Sequence, residues 1–257
     1  MRTSNPTLNE ETFDKFAESG HFNDATDVMT VEGTATKTGI LLLLAVLSAS
    51  FTWSQVLDPE KAGSAMLWAV GGAIGGFIVA LVTIFKPKSA PITAPIYALL
   101  EGLFLGAISA IVQAQVAEEN PGIVLQAVGL TFGVMAAMLV AYRTGLIKVT
   151  NQFVTGVVAA TAGIALFYLV LFGLRLFLPG SAMGYFMWEP SLLSIGVSLF
   201  VVAIAALNLV LDFAMIQDGE ERGAPKFMEW YGAFSLMVTL VWLYLEILRL
   251  LSKLSRR

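Results

Sequence analysis

Long apolar stretches separated by short polar breaks dominate the pattern of this chain. Each stretch reaches the roughly 20 residues that a helix needs to cross a bilayer, and none shows the period-two alternation of a barrel strand. Lipid offers backbone groups no hydrogen-bond partner, so such stretches must be helices. The pattern predicts an all-α membrane bundle with spans at residues 38–57, 65–85, 93–116, 122–142, 152–178, 190–216 and 230–251.

The polar segments between and around these spans carry most of the charge and the helix breakers. Prolines such as Pro121 and Pro179 stand in the breaks, where a residue without an amide hydrogen ends a helix. Residues 1–37 are polar, and we expect a flexible cytoplasmic tail there. A seven-helix transmembrane domain is predicted over residues 38–252, followed by a basic tail over residues 253–257.

The distribution of Lys and Arg predicts the orientation, because cytoplasmic loops are enriched in these residues. The side that holds the N-terminus also holds Lys37, Lys86, Lys88, Arg143, Lys148, Arg222 and Lys226. The inter-helix loops of the other side hold only Lys61, so the N-terminus is predicted to be cytoplasmic. Seven full spans place the basic C-terminus outside. We favour them over the alternative, a re-entrant last segment that returns the tail to the cytoplasm.

Composition supports a membrane protein and excludes several classes of function. The chain is 57% hydrophobic and 13% charged, against about 25% charged in soluble domains. No basic patch interleaved with aromatic residues points to nucleic acid, and the absence of cysteine excludes disulfides and thiolate metal sites. There is no G-x-S-x-G, H-E-x-x-H or P-loop motif, and the one histidine, His21, lies in the tail. We therefore expect no enzymatic activity and no resident cofactor.

Three acidic residues lie inside the predicted spans: Glu101, Asp212 and Glu246. A carboxylate in hydrocarbon is costly and persists where it is protonated, paired or facing water. Asp212 and Glu246 share their helix faces with small and polar residues, which predicts that these faces look into the bundle. Asn208, one turn from Asp212, is placed to donate to it. The alternative is that the acids pair with bases such as Arg143, Arg175 or Arg249.

Depth along the helices leaves the partner of Asp212 open. At about 1.5 Å per residue, Asp212 lies roughly 8 Å and Glu101 roughly 13 Å from the cytoplasmic ends of their spans, whereas Glu246 is at least about 20 Å along its helix. Two carboxylates that approach each other can share a proton near neutral pH and separate when both ionise. Such a pair predicts a gate that protonation closes and deprotonation opens.

Four segments of the chain resemble one known family. They are MTVEGTATKTGILLLL in the first span, EGLFLGAIS in the third, RTGLIKVT after the fourth, and NLVLDFAMIQDGEERGAPKFMEWYGAFSLMVTLVWLYLEILRLL at the end. Together they extend over roughly residues 28–252 and resemble the transmembrane Bax-inhibitor-motif family, more closely its bacterial Bax-inhibitor-like branch. The resemblance implies a seven-helix fold whose last helix is central.

The same resemblance implies a pH-sensitive calcium leak in the bacterial inner membrane. In that family two aspartates, late in helix six and in helix seven, form the pH sensor, and they match Asp212 and Glu246 here. The second match replaces Asp by Glu, which lengthens the side chain by one methylene. Glu101 and Asn208 are further candidates for the gate or pathway. The expected partners are the lipid bilayer and calcium or protons, with transient calcium binding at Asp212 and Glu246 because carboxylate oxygens suit this ion.

A function from a different class stays open beside the leak. The chain can instead be a non-conducting membrane protein that modulates a membrane-anchored protease or a stress response. Its acidic N-terminal tail would then be the docking segment, since a flexible charged segment can order itself on a partner.

Overall fold

The computed structural model describes residues 28–58, 60–178, 186 and 189–257. The predicted tail up to residue 27, including His21, lies outside the described residues. Within them the chain forms seven α-helices, each long and apolar enough to cross a membrane, and no β-strand. The helices are α1 (Val31–Leu57), α2 (Ala62–Phe85), α3 (Ala90–Gln115), α4 (Ile123–Arg143), α5 (Asn151–Phe177), α6 (Leu192–Glu221) and α7 (Met228–Ser255). The predicted all-α class with seven spans is confirmed.

Several helices extend beyond the predicted spans. α1 begins at Val31, before the predicted residue 38, because Thr30 caps it: the Thr30 hydroxyl accepts a hydrogen bond from the Gly33 amide at 2.9 Å. Residues 31–37, predicted as tail, are therefore helical. α7 continues to Ser255, so the prediction of a basic tail from residue 253 is wrong for Lys253. Hydropathy marks the apolar part of a helix, whereas capping and hydrogen bonding decide where the helix ends.

The chain divides into two compact units. The described part of the N-terminal unit consists of residues 28–115 and Asp212–Val238, which are α1, α2 and α3 with the end of α6 and the start of α7. The C-terminal unit consists of Val116–Leu211 and Thr239–Arg257. It contains α4, α5 and the remaining parts of α6 and α7.

Glycines allow close helix contacts in the N-terminal unit. A Cβ on Gly102 of α3 would collide with Ala45 of α1, and a Cβ on Gly72 of α2 would lie 2.5 Å from the carbonyl oxygen of Leu100 in α3. Small residues let backbones approach where lipid provides no hydrophobic force between helices. α3 therefore packs closely on both α1 and α2.

Apolar side chains join α5 to α6 in the C-terminal unit. Val154 and Val157 of α5 contact Leu211 of α6. Further along α5, Ile164 belongs to a second cluster against which Trp242 of α7 packs. In α6 and in α7, 61% of an apolar stretch of 18 residues is buried inside the protein, against 17% of the corresponding stretch in α1. The central position of the last helix stays a prediction.

Candidate functional site

The polar face predicted for α6 is buried. Along it, Ser194 and Ser198 are fully enclosed, and Asn208 and Asp212 are nearly so. Spacings of three and four return to one face of a helix, so these residues form a stripe. The apolar residues of α6 suit lipid, whereas a buried polar stripe marks the side on which the helix contacts protein.

Asp212 contacts a hydroxyl group of α7 inside the N-terminal unit. The Ser235 hydroxyl donates to Asp212 Oδ1 at 3.4 Å, which is longer than the roughly 2.7 Å typical of such bonds. Asp212 is 1% exposed and Ser235 is fully buried. This enclosure makes the solvation free energies of the charged and neutral carboxyl group differ strongly.

Asn208 ties α6 to α5 in the C-terminal unit. Its amide nitrogen donates to Thr161 Oγ1 and to the Ile204 carbonyl oxygen, both at 2.9 Å. An amide nitrogen carries two hydrogens, and both have a partner here. The predicted donation from Asn208 to Asp212 stays a prediction.

Glu246 is a buried acid of the C-terminal unit, and it is ion-paired. Arg249 Nη1 lies 2.8 Å from Glu246 Oε1 and 3.0 Å from Oε2, and the Tyr168 hydroxyl donates to Oε1 at 2.7 Å. Arg249 also donates to the Tyr168 hydroxyl at 2.9 Å, and its guanidinium lies 5.5 Å from the centre of that ring. The alternative of pairing with a base such as Arg249 is confirmed for Glu246.

Lys253 is a buried cation that the sequence reasoning assigned to a tail. It is 2% exposed, and its amine donates to the Ser194 carbonyl oxygen at 3.0 Å and to Ser198 Oγ at 2.8 Å. α7 continues through it, so the face that bears Glu246 and Arg249 also bears Lys253, at spacings of three and four. That spacing was the signal in the sequence, but the prediction ended the helix at the last run of apolar residues.

Glu101 lies half-buried on α3 in the N-terminal unit. Its Oε2 is 3.0 Å from the point that a Cβ on Gly76 of α2 would occupy, so the carboxylate fills space that a glycine leaves. Among the described residues nothing donates a hydrogen bond to it or forms an ion pair with it. Glu101 shares a unit with Asp212, whereas Glu246 belongs to the other unit. Which of the two serves as the second carboxylate stays a prediction.

Glu229, at the start of α7, is a further buried acid, and the sequence reasoning placed it in a loop. The backbone amide and the hydroxyl of Thr30 donate to its Oε1 at 2.9 and 3.0 Å. Lys37 and Lys226 both form ion pairs with it, and a Cβ on Gly33 would collide with its carboxylate. We call Glu229, Thr30, Lys37 and Lys226 the N-terminal clasp. It fastens the start of α1 to the start of α7.

The acids do not form a resident metal site within the part of the chain that the structure describes. No group of three or more His, Asp or Glu residues lies close enough there to hold a metal ion. A stable calcium site takes six to eight oxygen ligands.

The seven apolar helices of the described residues, together with the buried polar face of α6, define a multi-pass membrane protein whose environment is a lipid bilayer. The sequence model of the family described as Bax inhibitor 1 like matches residues 5–256, and the chain belongs to that family. No curated protein and no solved structure matches the chain. The family resemblance of the sequence segments is thereby confirmed.

Proposed function

We propose that this protein is a pH-sensitive, calcium-permeable leak of a bacterial inner membrane, and that protonation of Asp212 controls it. The observation that carries the proposal is a carboxyl group 1% exposed inside an apolar spanning helix. An ionisable residue in that position is expensive to keep and marks an ion or proton pathway more often than a structural contact.

The mechanism follows from the cost of burying charge. An ionised Asp212 is unfavourable in a dry bundle and favourable where water or a cation reaches it. Deprotonation therefore shifts the population toward a hydrated, conducting arrangement, and protonation shifts it toward the closed one. The long bond from Ser235 is a weak restraint on this change. Flux is expected to rise with pH.

The second carboxylate of the gate is Glu246 or Glu101. The family resemblance favours Glu246, but Arg249 and Tyr168 already balance and bind its charge. Glu246 can approach another carboxylate only if it leaves Arg249 or moves together with it. Glu101 needs no such exchange, since no described residue forms an ion pair with it. Asn208 lies one turn from Asp212 on α6 and donates to Thr161 of α5. This bond keeps that part of α6 attached to α5 while the gate opens or closes.

The proposal places the N-terminus in the cytoplasm, from the bias of Lys and Arg toward the loops on that side. Calcium or another hard cation is the permeant ion, because carboxylate and water oxygens are its natural ligands. No catalytic step and no resident cofactor is part of this mechanism.

The test is calcium flux into proteoliposomes across a range of pH. Asp212→Asn keeps the shape of the side chain but cannot ionise, so it imitates the protonated form. We expect its flux at alkaline pH to fall to the level that the wild type shows at acid pH. Asp218→Asn is the matched control, because Asp218 lies on the same helix, is partly exposed and pairs with Arg222 at 2.9 Å.

Two results would count against the proposal, and each would exclude a different part of it. An Asp212→Asn variant with wild-type flux at every pH would remove Asp212 from the gate. Wild-type vesicles that stay sealed at every pH would remove the leak itself. The protein would then fit the other class of function, a non-conducting partner of a membrane-anchored protease, with the clasp holding the segment that follows the tail.

A further inference from the structure

Lys253 is turned into the protein although it lies one helical turn from the exposed end of the chain. It is 2% exposed, whereas the next residue, Leu254, is 49% exposed and Arg257 at the chain end is exposed. A lysine near the end of a spanning helix normally extends toward water and keeps its ammonium group hydrated. The burial of Lys253 therefore costs free energy that an outward rotamer would avoid.

The partners of the Lys253 amine are neutral. Two of the three hydrogens of an ammonium group are used by the Ser194 carbonyl oxygen and Ser198 Oγ. No acid pairs with Lys253 among the described residues, and Glu246, two turns earlier on α7, is bound by Arg249. The contact between Lys253 and the start of α6 therefore holds a positive charge that no ion pair balances.

The two serines that bind Lys253 belong to the buried polar stripe of α6. A hydrated ion that crosses a bundle needs a polar lining, and this stripe offers one. Fixed positive charges beside such a lining repel cations, as arginine does in pores that exclude protons and other cations. A charge placed there without a structural counter-ion is suited to control what passes.

We propose that Lys253 is an electrostatic barrier that limits cation passage beside Ser194 and Ser198. This inference rests on the proposed leak. Lys253 acts through its positive charge on the passing ion and does not itself open or close the passage. It sets how fast cations pass and how strongly the leak discriminates between ions of different charge.

The valence of the ion separates this role from a merely structural one. Electrostatic work is proportional to the charge of the ion, so removing the barrier accelerates a divalent cation by the square of the factor for a monovalent one. We expect about threefold for potassium and about tenfold for calcium. A bundle loosened by the substitution would instead accelerate both ions by a similar factor.

The experiment compares initial potassium and calcium fluxes in proteoliposomes of the full chain at neutral pH, where the Lys253 amine carries its positive charge. Lys253→Met removes the charge and keeps the length of the side chain, and Lys253→Arg keeps the charge. Arg257→Met is the control, because it removes an exposed cation from the same end of the chain. The methionine variant should fold, since it removes a buried charge that is costly to desolvate and keeps the length of the side chain. Lys253→Gln supplies a second neutral side chain if it does not.

The supporting result is a rise in both fluxes for Lys253→Met, with the larger rise for calcium, and wild-type fluxes for Lys253→Arg and Arg257→Met. Unchanged fluxes in both neutral variants, or an equal rise for the two ions, would overturn the barrier and leave the leak standing. A wild type that passes neither ion would overturn both the barrier and the leak.

Discussion

The buried charges of two glutamates on α7, Glu229 and Glu246, are balanced in different ways. Glu229, in the N-terminal unit, binds the amide and hydroxyl of Thr30, a residue far away in sequence, and pairs with two lysines. Glu246, in the C-terminal unit, is balanced by Arg249 on its own helix. The first acid joins segments that only the folded chain brings together. The second is neutralised within one turn of helix.

This difference separates a structural charge from a movable one. Releasing Glu229 would leave the Thr30 amide and two lysines without this acceptor, so the start of α1 would be held by its remaining bonds to Glu220 and Ala224. Glu246 and Arg249 can change position as a pair once the Tyr168 hydroxyl of α5 releases them, because both side chains leave the same turn of α7. An acid of the second kind is the one that suits a moving part, which agrees with its proposed place near a gate.

Truncation of Glu229 tests the difference between the two glutamates most directly. Glu229→Ala removes both ion pairs and strands the Thr30 amide, and we expect a loss of about 3 kcal/mol in the free energy of unfolding. SDS titration in mixed micelles measures it. Glu118→Ala, at an exposed acid between α3 and α4, is the control and should change little. A loss no larger than that of the control would mean that the clasp does not stabilise the fold.

The clasp also shows where sequence reasoning stops. The seven spans follow from hydropathy, and Asp212 and Glu246 stand out because each interrupts an apolar run. Glu229 stands out in no such way, since it lies just before the predicted span, three residues after Lys226, and resembles a loop acid. Its burial depends on Thr30, 199 residues earlier, and no local pattern encodes that contact.

Lys253 was missed for a related reason. Hydropathy predicts that α7 ends at residue 251, and a lysine after that point reads as part of a tail. The helix instead continues to Ser255, and the serines that bind Lys253 lie on α6. The sequence shows the spacing from Glu246 through Arg249 to Lys253, but whether that face meets protein or lipid is decided by packing.

A milder change tests whether the Glu246–Arg249 pair stabilises the fold less than the N-terminal clasp does. Glu246→Gln keeps an oxygen that can accept from Tyr168 but loses the ion pair with Arg249, which is 24% exposed and can turn toward water. We expect a loss of about 1–2 kcal/mol in the free energy of unfolding, smaller than for Glu229→Ala under the same titration. An equal or larger loss would show that Glu246 is as structural as Glu229 and would weaken its place in a moving gate.

The smallest expected effect comes from the hydroxyl that bridges Glu246 and Arg249. Tyr168→Phe removes the donor to Glu246 and the acceptor for Arg249 but keeps the ring under the guanidinium. Hydrogen bonds between membrane helices contribute about 0.6 kcal/mol on average, and we expect a loss of that size. If the hydroxyl acts through the acid, the double variant with Glu246→Gln loses less than the sum of the single losses. Strict additivity would mean that the Tyr168 hydroxyl stabilises α5 on its own, and that the balance of charge at Glu246 is confined to α7.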